Sequence, residues 1–471
     1  AAGFNAFGIA AGGGAGQALA QWIAGGEPPF DLWPVDIRRF GKPHSEIEWV
    51  RERTHEMYGK HYTMAWPHEE HQSGRPFRCS PLYEELKSQG ACFGEKLGWE
   101  RPNWFAPEGV TPEDEYSFGE QNWVRYSGDE HRAAREAVAV FDQTSFGKFI
   151  VEGADSAQAL EWICANRIDR PVGSVIYTQL LNSRGGIESD LTVTRLAPDR
   201  FYLVTGTGFV THDYHWIQRS LPENLDVRIT DQTDRFAVLS VMGPRSRELL
   251  ARVASENVDD TALPFAASRQ LQVTSSVITA VRLTYVGELG YELHIPIDHA
   301  LDVYQALITS GADLGIRNAG YRAIESLRLE KGYRAWGSDL SPDHTPLEAG
   351  LGWAVKLTGK TDFLGKEALL QQKREGIKKQ LACFTTDDSS ISLIGRETIF
   401  RDDQRVGWLT SAGFGHTIGR PIGYGYVRNA DGVDREYLER GAYSLEIAGT
   451  RVPCSLHLEP LYDPASSRIK G

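Results

Sequence analysis

Two hydrophobic patterns alternate through the middle of the chain. Runs in which apolar and polar residues alternate, or which are apolar throughout, predict β-strands, whereas apolar residues three to four positions apart predict helices. Strands are predicted at 200–204, 236–241 and 281–285. Helices are predicted at 156–164, 246–253, 300–310 and 321–331. Strands mixed with helices in this way indicate an α+β fold.

The pattern changes after the basic run 373–379. From 381 to 453, short alternating runs are separated by turn residues about every eight to twelve positions, which is typical of a small β-barrel or sandwich. Further upstream, a charged helix over 129–138 leads into an apolar strand and indicates that a domain begins nearby. We therefore predict an α+β domain at 119–372 and a C-terminal all-β barrel domain at 373–471.

The beginning of the chain is organised differently. Residues 1–40 contain a glycine run at 12–16 and then a helix-forming segment, 17–23, while residues 41–118 combine a helix over 46–57 with loops rich in aromatic residues and proline. A glycine loop that opens a helix can hold a pyrophosphate on free N–H groups. The strand that should precede such a loop is missing, so a complete dinucleotide-binding unit is not indicated. The alternative is a glycine-rich turn that lets a helix pack closely.

Composition and charge narrow the possible functions. A chain of 471 residues exceeds one ordinary hydrophobic core, and its net charge of −13 argues against a nucleic-acid partner. No apolar run approaches the roughly 20 residues needed to cross a bilayer, so no membrane role is expected. The cysteines show neither a CxxC motif nor zinc-ligand spacing, so we expect no metal, reduced structural thiols, and a place in the cytoplasm or the mitochondrial matrix. They are Cys79, Cys92, Cys164, Cys383 and Cys454.

A glycine-pivoted turn near the middle of the chain carries a carboxylate. Gly185 and Gly186 permit a positive-φ turn, and the alternating residues 191–194 predict a half-buried strand. Asp190 is therefore expected where a rigid strand meets a loop, which is a common place for catalytic residues. A hairpin with an aspartate at its base is also an ordinary turn, and the turn alone does not decide between the two interpretations.

A second glycine-bracketed turn leads into another alternating run. After Gly290, alternation puts Tyr291 and Leu293 on one face of a strand, and Glu292 and His294 on the other. A ring and a carboxylate on adjacent strands can hold a flat heterocycle, because the carboxylate accepts two parallel hydrogen bonds from an aminopyrimidine edge. In the alternative interpretation, the glutamates of this hairpin face water.

The predicted helix 321–331 carries a further charged pair. Arg328 follows Glu325 by three positions, so a surface ion pair explains both charges without a ligand. Gly332 is expected to cap the end of this helix.

The order and spacing of several motifs identify a family. The motifs are Phe-Asp-Gln-Thr at 141–144, Asn-x-x-Gly-Gly-Ile-x-x-Asp at 182–190, Met-Gly-Pro at 242–244, Tyr-x-Gly-Glu-x-Gly-Tyr-Glu at 285–292, Leu-Arg-Leu-Glu at 327–330 and Asp-Phe-Leu-Gly-Lys at 362–366. With them, residues 119–462 resemble the folate-binding aminomethyltransferase fold. The T-protein of glycine cleavage has this fold, as do the C-terminal halves of dimethylglycine and sarcosine dehydrogenases. Residues 3–40, together with 74–83 and 98–102, resemble the end of the FAD-dependent half of those dehydrogenases.

The resemblance implies roles for individual residues. Asp190 corresponds to the carboxylate next to the reactive nitrogen of tetrahydrofolate, while Tyr285 and Glu292 hold the pterin. Tyr177 and Arg328 are implied as further residues of the folate pocket. A carboxylate beside an amine nucleophile can orient it, accept its proton and stabilise positive charge. Arg328 can pair with Asp190, with Glu292 or with a carboxylate of the ligand, and the sequence does not choose among them.

The resemblance also implies a flavin-dependent partner. Residues 1–40 correspond to the incomplete C-terminal end of an FAD-dependent oxidoreductase domain, and 41–118 to a connecting segment. Gly12, Gly13 and Gly14 are implied as residual FAD contacts. FAD is therefore expected only together with the missing N-terminal half, which is either a separate chain or a part removed from a longer protein. The chain alone is expected to bind folate and to hold no flavin tightly.

The function implied is one-carbon transfer. The chain is expected to be the folate half of an N-methylglycine dehydrogenase, with dimethylglycine as the first candidate substrate and sarcosine as the second. The one-carbon unit released by demethylation would reach tetrahydrofolate as 5,10-methylenetetrahydrofolate. Two alternatives are a non-catalytic regulatory subunit of the pyruvate dehydrogenase phosphatase type and a flavin-free, tetrahydrofolate-dependent demethylase.

Overall fold

A computed structural model of the chain describes residues 1–4 and 7–471. Its first part consists of three α-helices and a hairpin. The elements are α1 (Gly8–Gly25), α2 (Ile47–Gly59), α3 (Tyr83–Ser88), β1 (Ala91–Lys96) and β2 (Trp99–Phe105), with 3₁₀ turns at Trp33–Val35, Ile37–Arg39 and Lys42–Ser45. Strands β1 and β2 pair antiparallel in a two-stranded sheet.

The glycine run 12–16 is helical, so the predicted glycine loop is wrong. Helix α1 already begins at Gly8, and Gly12, Gly13 and Gly14 lie beyond its first turn. Only the N–H groups of the first turn of a helix are free, and later ones donate to the carbonyl four residues earlier. These three exposed glycines therefore do not offer the pyrophosphate cradle that the sequence suggested.

The middle of the chain is built on two sheets covered by helices. The elements are α4 (Val124–Glu136), β3 (Val138–Asp142), β4 (Gly147–Glu152), α5 (Ser156–Ile163), β5 (Val175–Leu181), β6 (Ile187–Ala197), β7 (Arg200–Thr205), α6 (Val210–Ser220), β8 (Arg228–Asp231), β9 (Phe236–Met242), α7 (Ser246–Val253), β10 (Ser268–Val273), β11 (Ser276–Val281), β12 (Gly290–Pro296), α8 (Ala300–Ser310), β13 (Ile316–Asn318), α9 (Tyr321–Lys331) and α10 (Lys366–Glu375). The five-stranded sheet has the order β5-β6-β7-β4-β8, and the six-stranded sheet has the order β10-β11-β12-β9-β3-β13. The predicted α+β fold is confirmed.

Each of these sheets has its own hydrophobic core. In the six-stranded sheet Leu293 packs with Leu249 of α7 and Val303 of α8. In the five-stranded sheet Val193 packs with Leu160 of α5. Since successive residues of a strand point to opposite faces, each sheet keeps a second face on which polar groups can lie.

The C-terminal part closes into a barrel. Its elements are β14 (Lys379–Thr385), β15 (Thr398–Arg401), β16 (Gln404–Gly415), β17 (Arg420–Arg428), α11 (Arg435–Arg440), β18 (Tyr443–Ile447), β19 (Thr450–His457) and α12 (Ser467–Lys470). The strands follow the order β14-β17-β16-β15-β18-β19 around the closed barrel, which confirms the predicted barrel. The barrel packs on α9, where the Tyr424 hydroxyl donates to the Leu329 carbonyl oxygen over 3.1 Å.

One predicted strand is wrong. Strand β11 ends at Val281, and the backbone that the sequence placed in a strand at 281–285 forms part of a turn. The Arg282 backbone N–H still donates to the Ala267 carbonyl oxygen over 2.8 Å, but two residues later the Thr284 hydroxyl oxygen accepts from the Val286 N–H over 3.2 Å. Such side-chain bonds compete with the strand ladder, so Tyr285 lies on a loop.

Two further observations concern membrane-spanning helices and the state of the cysteines. In the part that the structure describes, no helix combines the length and the apolar character needed to cross a membrane. The cysteines are free thiols, and Cys92, Cys164 and Cys383 are buried.

Candidate functional site

A tight turn between β5 and β6 positions Asp190. The side-chain oxygen of Asn182 accepts from the Gly186 N–H over 2.9 Å, and Gly185 has a φ of 80°. A Cβ on Gly186 would lie 1.9 Å from the Pro342 carbonyl oxygen, so glycine is required there. The predicted positive-φ pivot is confirmed at Gly185, but β6 starts earlier than expected. Asp190 therefore lies within the strand rather than at its mouth.

The Asp190 carboxylate is half-buried and held by a neighbouring amide. Gln179 lies directly opposite on β5, and its Nε2 donates to Asp190 Oδ1 over 2.9 Å. Burial raises the pKa of Asp190 to about 6, while the nearby Tyr177 hydroxyl and the Gln179 amide act in the opposite direction. A carboxylate with a pKa in this range can accept and release a proton near neutral pH.

Aromatic rings flank this carboxylate. Tyr177 stacks on Trp353 with 5.7 Å between ring centres, and Tyr285 stacks on Tyr333 at the same separation. Burial raises the pKa of both Tyr177 and Tyr285, and the charge of the nearby Asp190 adds to the rise. Both hydroxyl groups therefore keep their protons and can act as hydrogen-bond donors.

Pairing across the strands shows which residues share the face of Asp190. Tyr177 pairs with Thr192, and Tyr202 pairs with Thr194. Opposite residues of an antiparallel pair lie on the same face, and so do alternate residues along one strand. Tyr177 and Tyr202 therefore share one face of the five-stranded sheet with Asp190.

Glu292 lies on the polar face of the six-stranded sheet. Its neighbours Tyr291 and Leu293 are in the hydrophobic core, so the predicted alternation is confirmed. Glu292 and His294 are both buried, so the water-facing alternative is wrong. His294 Nε2 lies 3.8 Å from a Glu292 oxygen, and its Nδ1 lies 3.1 Å from the Tyr202 hydroxyl.

The contact between Tyr202 of one sheet and His294 of the other shows that the polar faces of the two sheets lie against each other. Two buried side-chain atoms on these faces have no hydrogen-bond partner among the residues that the structure describes, Gln179 Oε1 and His294 Nε2. An unpaired buried polar atom costs about 1–3 kcal/mol, so most such atoms in proteins are paired with a protein group or an ordered water. The region between these two polar faces, called the cleft below, has a carboxylate and a free polar atom on each side.

Arg328 pairs with neither Asp190 nor Glu292. It is fully buried, its Nη1 donates to Asp339 Oδ2 over 2.7 Å, and it also bonds to Glu325. The i,i+3 partner was correctly predicted, but its surface location was wrong. Asp339 Oδ1 in turn accepts from the hydroxyl groups of Thr410 (2.5 Å) and Ser411 (2.8 Å) on β16. Arg328 therefore joins α9 to the barrel rather than to Asp190 or Glu292.

Arg334 is a residue near the site that the sequence interpretation missed. Its carbonyl oxygen accepts from the Tyr285 hydroxyl over 2.8 Å. Its guanidinium donates from Nε to the Ala349 carbonyl oxygen over 3.0 Å, and its charge helps to keep Asp190 ionised. No periodic pattern indicates this residue, because it follows the cap of α9 in an irregular segment.

A buried carboxylate–imidazole–carboxylate group was also missed. His212 on α6 lies 2.8 Å from Asp213 through Nδ1 and 3.3 Å from Glu188 through Nε2. Burial opposes protonation, but the two carboxylates overcome it and raise the pKa of His212 to about 9. Glu188 is two residues from Asp190 on β6, and the ring of Trp33 meets His212 edge-on at 4.5 Å. This group therefore connects the 3₁₀ turn at Trp33–Val35 to the strand that carries Asp190.

The raised pKa of His212 predicts a pH-dependent contribution to stability. The imidazolium stabilises the fold fully below pH 6.5, its ordinary pKa, and the contribution is lost as the pH rises through about 9. His212→Gln, which keeps hydrogen-bonding capacity but cannot be charged, should lower the free energy of unfolding by about 3 kcal/mol at pH 6. Urea denaturation should show that the variant loses less free energy of unfolding, relative to the wild type, at pH 10 than at pH 6. The exposed His55→Gln is the matched control, and an equal deficit at both pH values would contradict the charged pairing.

The three glycines implied as FAD contacts do not offer a flavin the free N–H groups that the resemblance suggested. Gly12, Gly13 and Gly14 are exposed helical residues without free N–H groups, so they do not fit the FAD contact that the resemblance implied. Within residues 1–4 and 7–471, no group of three or more histidine, cysteine, aspartate or glutamate residues is arranged to hold a metal ion.

Three segments of the chain match known protein families. Residues 82–359, more than half of the chain, match the GCVT N-terminal domain. Residues 25–80 match the FAD dependent oxidoreductase central domain. Residues 379–463 match the glycine cleavage T-protein C-terminal barrel domain.

Individual relatives can be aligned with 98–100% of the chain. It is 39% identical to mitochondrial sarcosine dehydrogenase of Mus musculus, over 100% of this chain and 55% of the relative. It is 36% identical to mitochondrial dimethylglycine dehydrogenase of the same species, over 100% of this chain and 54% of the relative. The mitochondrial pyruvate dehydrogenase phosphatase regulatory subunit of that species is 35% identical, over 98% of this chain and 54% of the relative. The chain thus spans about half the length of these relatives.

A solved structure shares the fold. The glycine cleavage system aminomethyltransferase T from Bartonella henselae is 27% identical and superposes with a TM-score of 0.69. The similarity covers 82% of this chain and 98% of that protein.

Proposed function

Because the chain belongs to the glycine cleavage T-protein family, we propose that it transfers a one-carbon unit to tetrahydrofolate in the cleft between its two sheets. The observation that carries the proposal is the half-buried Asp190 carboxylate, which lies beside Tyr177 and Tyr285 and has a pKa of about 6. Homology to sarcosine and dimethylglycine dehydrogenases supports the same chemistry.

The cleft residues suit a flat heterocycle with an aminopyrimidine edge. Glu292 is buried and can accept two parallel hydrogen bonds from such an edge. Tyr285 supplies a ring face, and the free Gln179 Oε1 can accept a hydrogen bond from an N–H group of the ligand. Tetrahydrofolate, when bound, supplies the amine nitrogens that take up the carbon in 5,10-methylenetetrahydrofolate.

Asp190 is the acid–base group in this proposal. As a carboxylate it takes the proton that an amine nitrogen loses on bonding to the incoming carbon, and its charge stabilises positive charge that develops there. It returns this proton to the departing amine when a second nitrogen, which loses its own proton to solvent, bonds to the same carbon. A pKa of about 6 lets Asp190 act in both directions at neutral pH.

The proposed carbon donor is an N-methylated glycine whose methyl group has been oxidised to the level of formaldehyde. Dimethylglycine is the first candidate and sarcosine the second, and the identities of 36% and 39% to relatives named for these substrates do not separate them. The oxidation needs FAD, and we assign it to an FAD-dependent half, in the same longer protein or in a separate chain. Residues 25–80 match the central domain of such a half.

Binding of the pterin can be tested at Glu292. Glu292→Gln should weaken tetrahydrofolate binding about 10- to 100-fold, because an amide group offers one acceptor and turns a donor toward the donors of the ligand. Isothermal titration calorimetry of the full chain measures the change. Glu223→Gln, which alters an exposed glutamate, should bind like the wild type. Unchanged affinity in the Glu292 variant would remove Glu292 from the proposed pocket.

A second candidate function is regulatory binding. The chain is 35% identical to a pyruvate dehydrogenase phosphatase regulatory subunit, nearly as similar as it is to the dehydrogenases. The two functions differ in one measurement, the rate at which the chain forms 5,10-methylenetetrahydrofolate from tetrahydrofolate and formaldehyde. A rate above that of the protein-free reaction supports the transferase, whereas tetrahydrofolate binding without acceleration favours the regulatory function.

A further inference from the structure

The two residues that precede Asp190 are both bonded to helix α6. Ser189 is fully buried, and its hydroxyl donates to Asp213 Oδ2 over 2.8 Å. Glu188 lies 3.3 Å from His212 Nε2. Consecutive residues of a strand point to opposite faces, so α6 holds strand β6 by side chains from both of its faces.

Asp213 also fixes the strand on the other side of Asp190. Its Oδ2 accepts a second hydrogen bond from the Thr205 hydroxyl on β7. Thr205 lies directly opposite Leu191, the residue that follows Asp190. One fully buried carboxylate therefore joins the residue before Asp190 to the cross-strand neighbour of the residue after it.

His212 binds the other oxygen of Asp213. Its Nδ1 lies 2.8 Å from Asp213 Oδ1, so both carboxylate oxygens are engaged. The Trp33 ring meets the imidazole edge-on at 4.5 Å, and Asp31 and Asp36 lie close enough to interact with its charge. The imidazole is thus held by β6, by α6 and by the first part of the chain, and it holds Asp213 in turn.

These bonds lie on the far side of the sheet from the cleft. Ser189 shares its face of β6 with Leu191 and Val193, which belong to the core of the five-stranded sheet. Asp213 therefore acts on the strand that carries Asp190 and does not reach a ligand in the cleft. An acid–base group must be held within about 0.5 Å of its productive position, and a displacement of about 1 Å can lower a rate about 100-fold.

We propose that Asp213 is a positioning residue for Asp190, and that His212 keeps Asp213 in the orientation this requires. The inference rests on the proposed one-carbon transfer and deepens it. It assigns part of the transfer rate to two residues of α6 that make no contact with tetrahydrofolate. Through Trp33, the same bonds connect Asp190 to residues 25–80, the segment that matches the FAD dependent oxidoreductase central domain.

The main test is Asp213→Asn in the full chain. Asparagine keeps the size of the side chain but has one acceptor oxygen instead of two, so it cannot keep all three bonds. The rate of 5,10-methylenetetrahydrofolate formation from tetrahydrofolate and formaldehyde should fall about 10- to 100-fold. Tetrahydrofolate affinity should change less than about 3-fold, because Asp213 is outside the cleft. Calorimetry gives this affinity together with the fraction of binding-competent protein, so the rate is expressed per functional site.

Thr205 supplies a milder variant, and an exposed aspartate supplies the control. Thr205→Val removes one hydroxyl bond to Asp213 and should lower the rate roughly 5-fold. Thr205→Ser keeps the hydroxyl and should recover most of that loss. Asp199→Asn, in the exposed turn that joins β6 and β7, is the matched control for Asp213→Asn and should have no effect.

The pH profile of the rate separates positioning from a general loss of structure. Burial raises the pKa of Asp190 to about 6, the charge of Asp213 adds to the rise, and that of Arg334 opposes it. Asp213→Asn removes a negative charge, so the acidic decline of the rate should move to lower pH. A partly unfolded protein would show a smaller rate with the same midpoint. An unmoved midpoint would contradict the close approach of Asp213 to Asp190 on which the proposal depends.

The outcomes distinguish this inference from the function on which it rests. If the wild type does not accelerate the reaction, the transferase function itself fails. If the wild type is active and both Asp213→Asn and Thr205→Val stay within about 2-fold of its rate, the positioning role is overturned while the transferase function stands. The role is also overturned if both variants weaken tetrahydrofolate binding as much as they lower the rate, because these bonds would then support the pocket as a whole.

Discussion

Asp190→Asn is expected to lower the rate of one-carbon transfer about 100- to 1,000-fold and to change tetrahydrofolate affinity less than about 3-fold. Asparagine keeps the shape and the acceptor that faces Gln179 Nε2, but it can neither accept the proton of the amine nor balance positive charge. The substitution should therefore lower the transfer rate and leave tetrahydrofolate affinity nearly unchanged. Coupled measurement of 5,10-methylenetetrahydrofolate gives the rate, and calorimetry gives the affinity.

The wild-type rate should also depend on pH in a defined direction. The pKa of Asp190 is raised from 3.8 to about 6, so the carboxylate needed to accept the proton disappears as the pH falls through about 6. The transfer rate should decline on that acidic side, while the residual rate of Asp190→Asn should show no such step. A wild-type profile without a step between pH 5 and pH 7 would remove Asp190 from the proposed role.

The same substitution should make the fold more stable at neutral pH. A folded-state pKa above the unfolded value means that the native state binds the proton more tightly, so ionised Asp190 costs stability above about pH 6. Each factor of ten in proton affinity corresponds to about 1.4 kcal/mol, so Asp190→Asn should gain about 1–3 kcal/mol at pH 8. Little gain is expected at pH 4. The exposed Asp199→Asn is the control and should change stability at neither pH.

Arg328→Met is expected to lower the free energy of unfolding by about 3–5 kcal/mol. The substitution leaves Asp339 fully buried with its charge unpaired, although the hydroxyl groups of Thr410 and Ser411 still donate to it. Removing one partner of a buried ion pair is costly because the remaining charge cannot be rehydrated. Arg328→Lys should lose part of this stability, since one ammonium group cannot reach both Asp339 and Glu325 in the geometry of the guanidinium fork.

An exposed pair provides the matched comparison for Arg328. Arg374 lies 3.5 Å from Glu367 with both side chains largely exposed, so Arg374→Met should change stability by less than about 0.5 kcal/mol. Urea denaturation of both variants measures the contrast. A different result would contradict this assignment: a free energy of unfolding within about 1 kcal/mol of the wild type, combined with loss of tetrahydrofolate binding. Arg328 would then be a ligand contact, as the family resemblance implied, and its bond to Asp339 would contribute little to stability.

Features that depend on a few neighbouring residues could be predicted from the amino-acid pattern. Helix α9 ends at Gly332 with a φ of 75°, as its cap position indicated, and the turn before Asp190 pivots at Gly185. Alternation along β12 correctly separated Glu292 from the core-facing Tyr291. Helix capping, positive φ and the two-residue period of a strand are local physical requirements, so the sequence carries them directly.

The glycine run near the start of the chain shows where local patterning misleads. A loop over 12–16 was predicted because glycine is a poor helix former, yet these residues belong to α1. Similarly, the strand predicted at 281–285 ends at Val281, where Arg282 reaches Asp260. Propensity differences of less than about 1 kcal/mol per residue are too small to decide the conformation of either segment.

The amino-acid pattern is therefore sufficient to predict the α+β fold, the C-terminal barrel and the motif residues around Asp190, because periodicity, turns and motif spacing are properties of short segments. It does not predict which charges are neutralised. Arg328 binds Asp339 and reaches the barrel, and His212 lies between Glu188 and Asp213. Charge pairing and desolvation depend on distances between segments far apart in the chain, and these distances exist only once the sheets, α9 and the barrel have packed together.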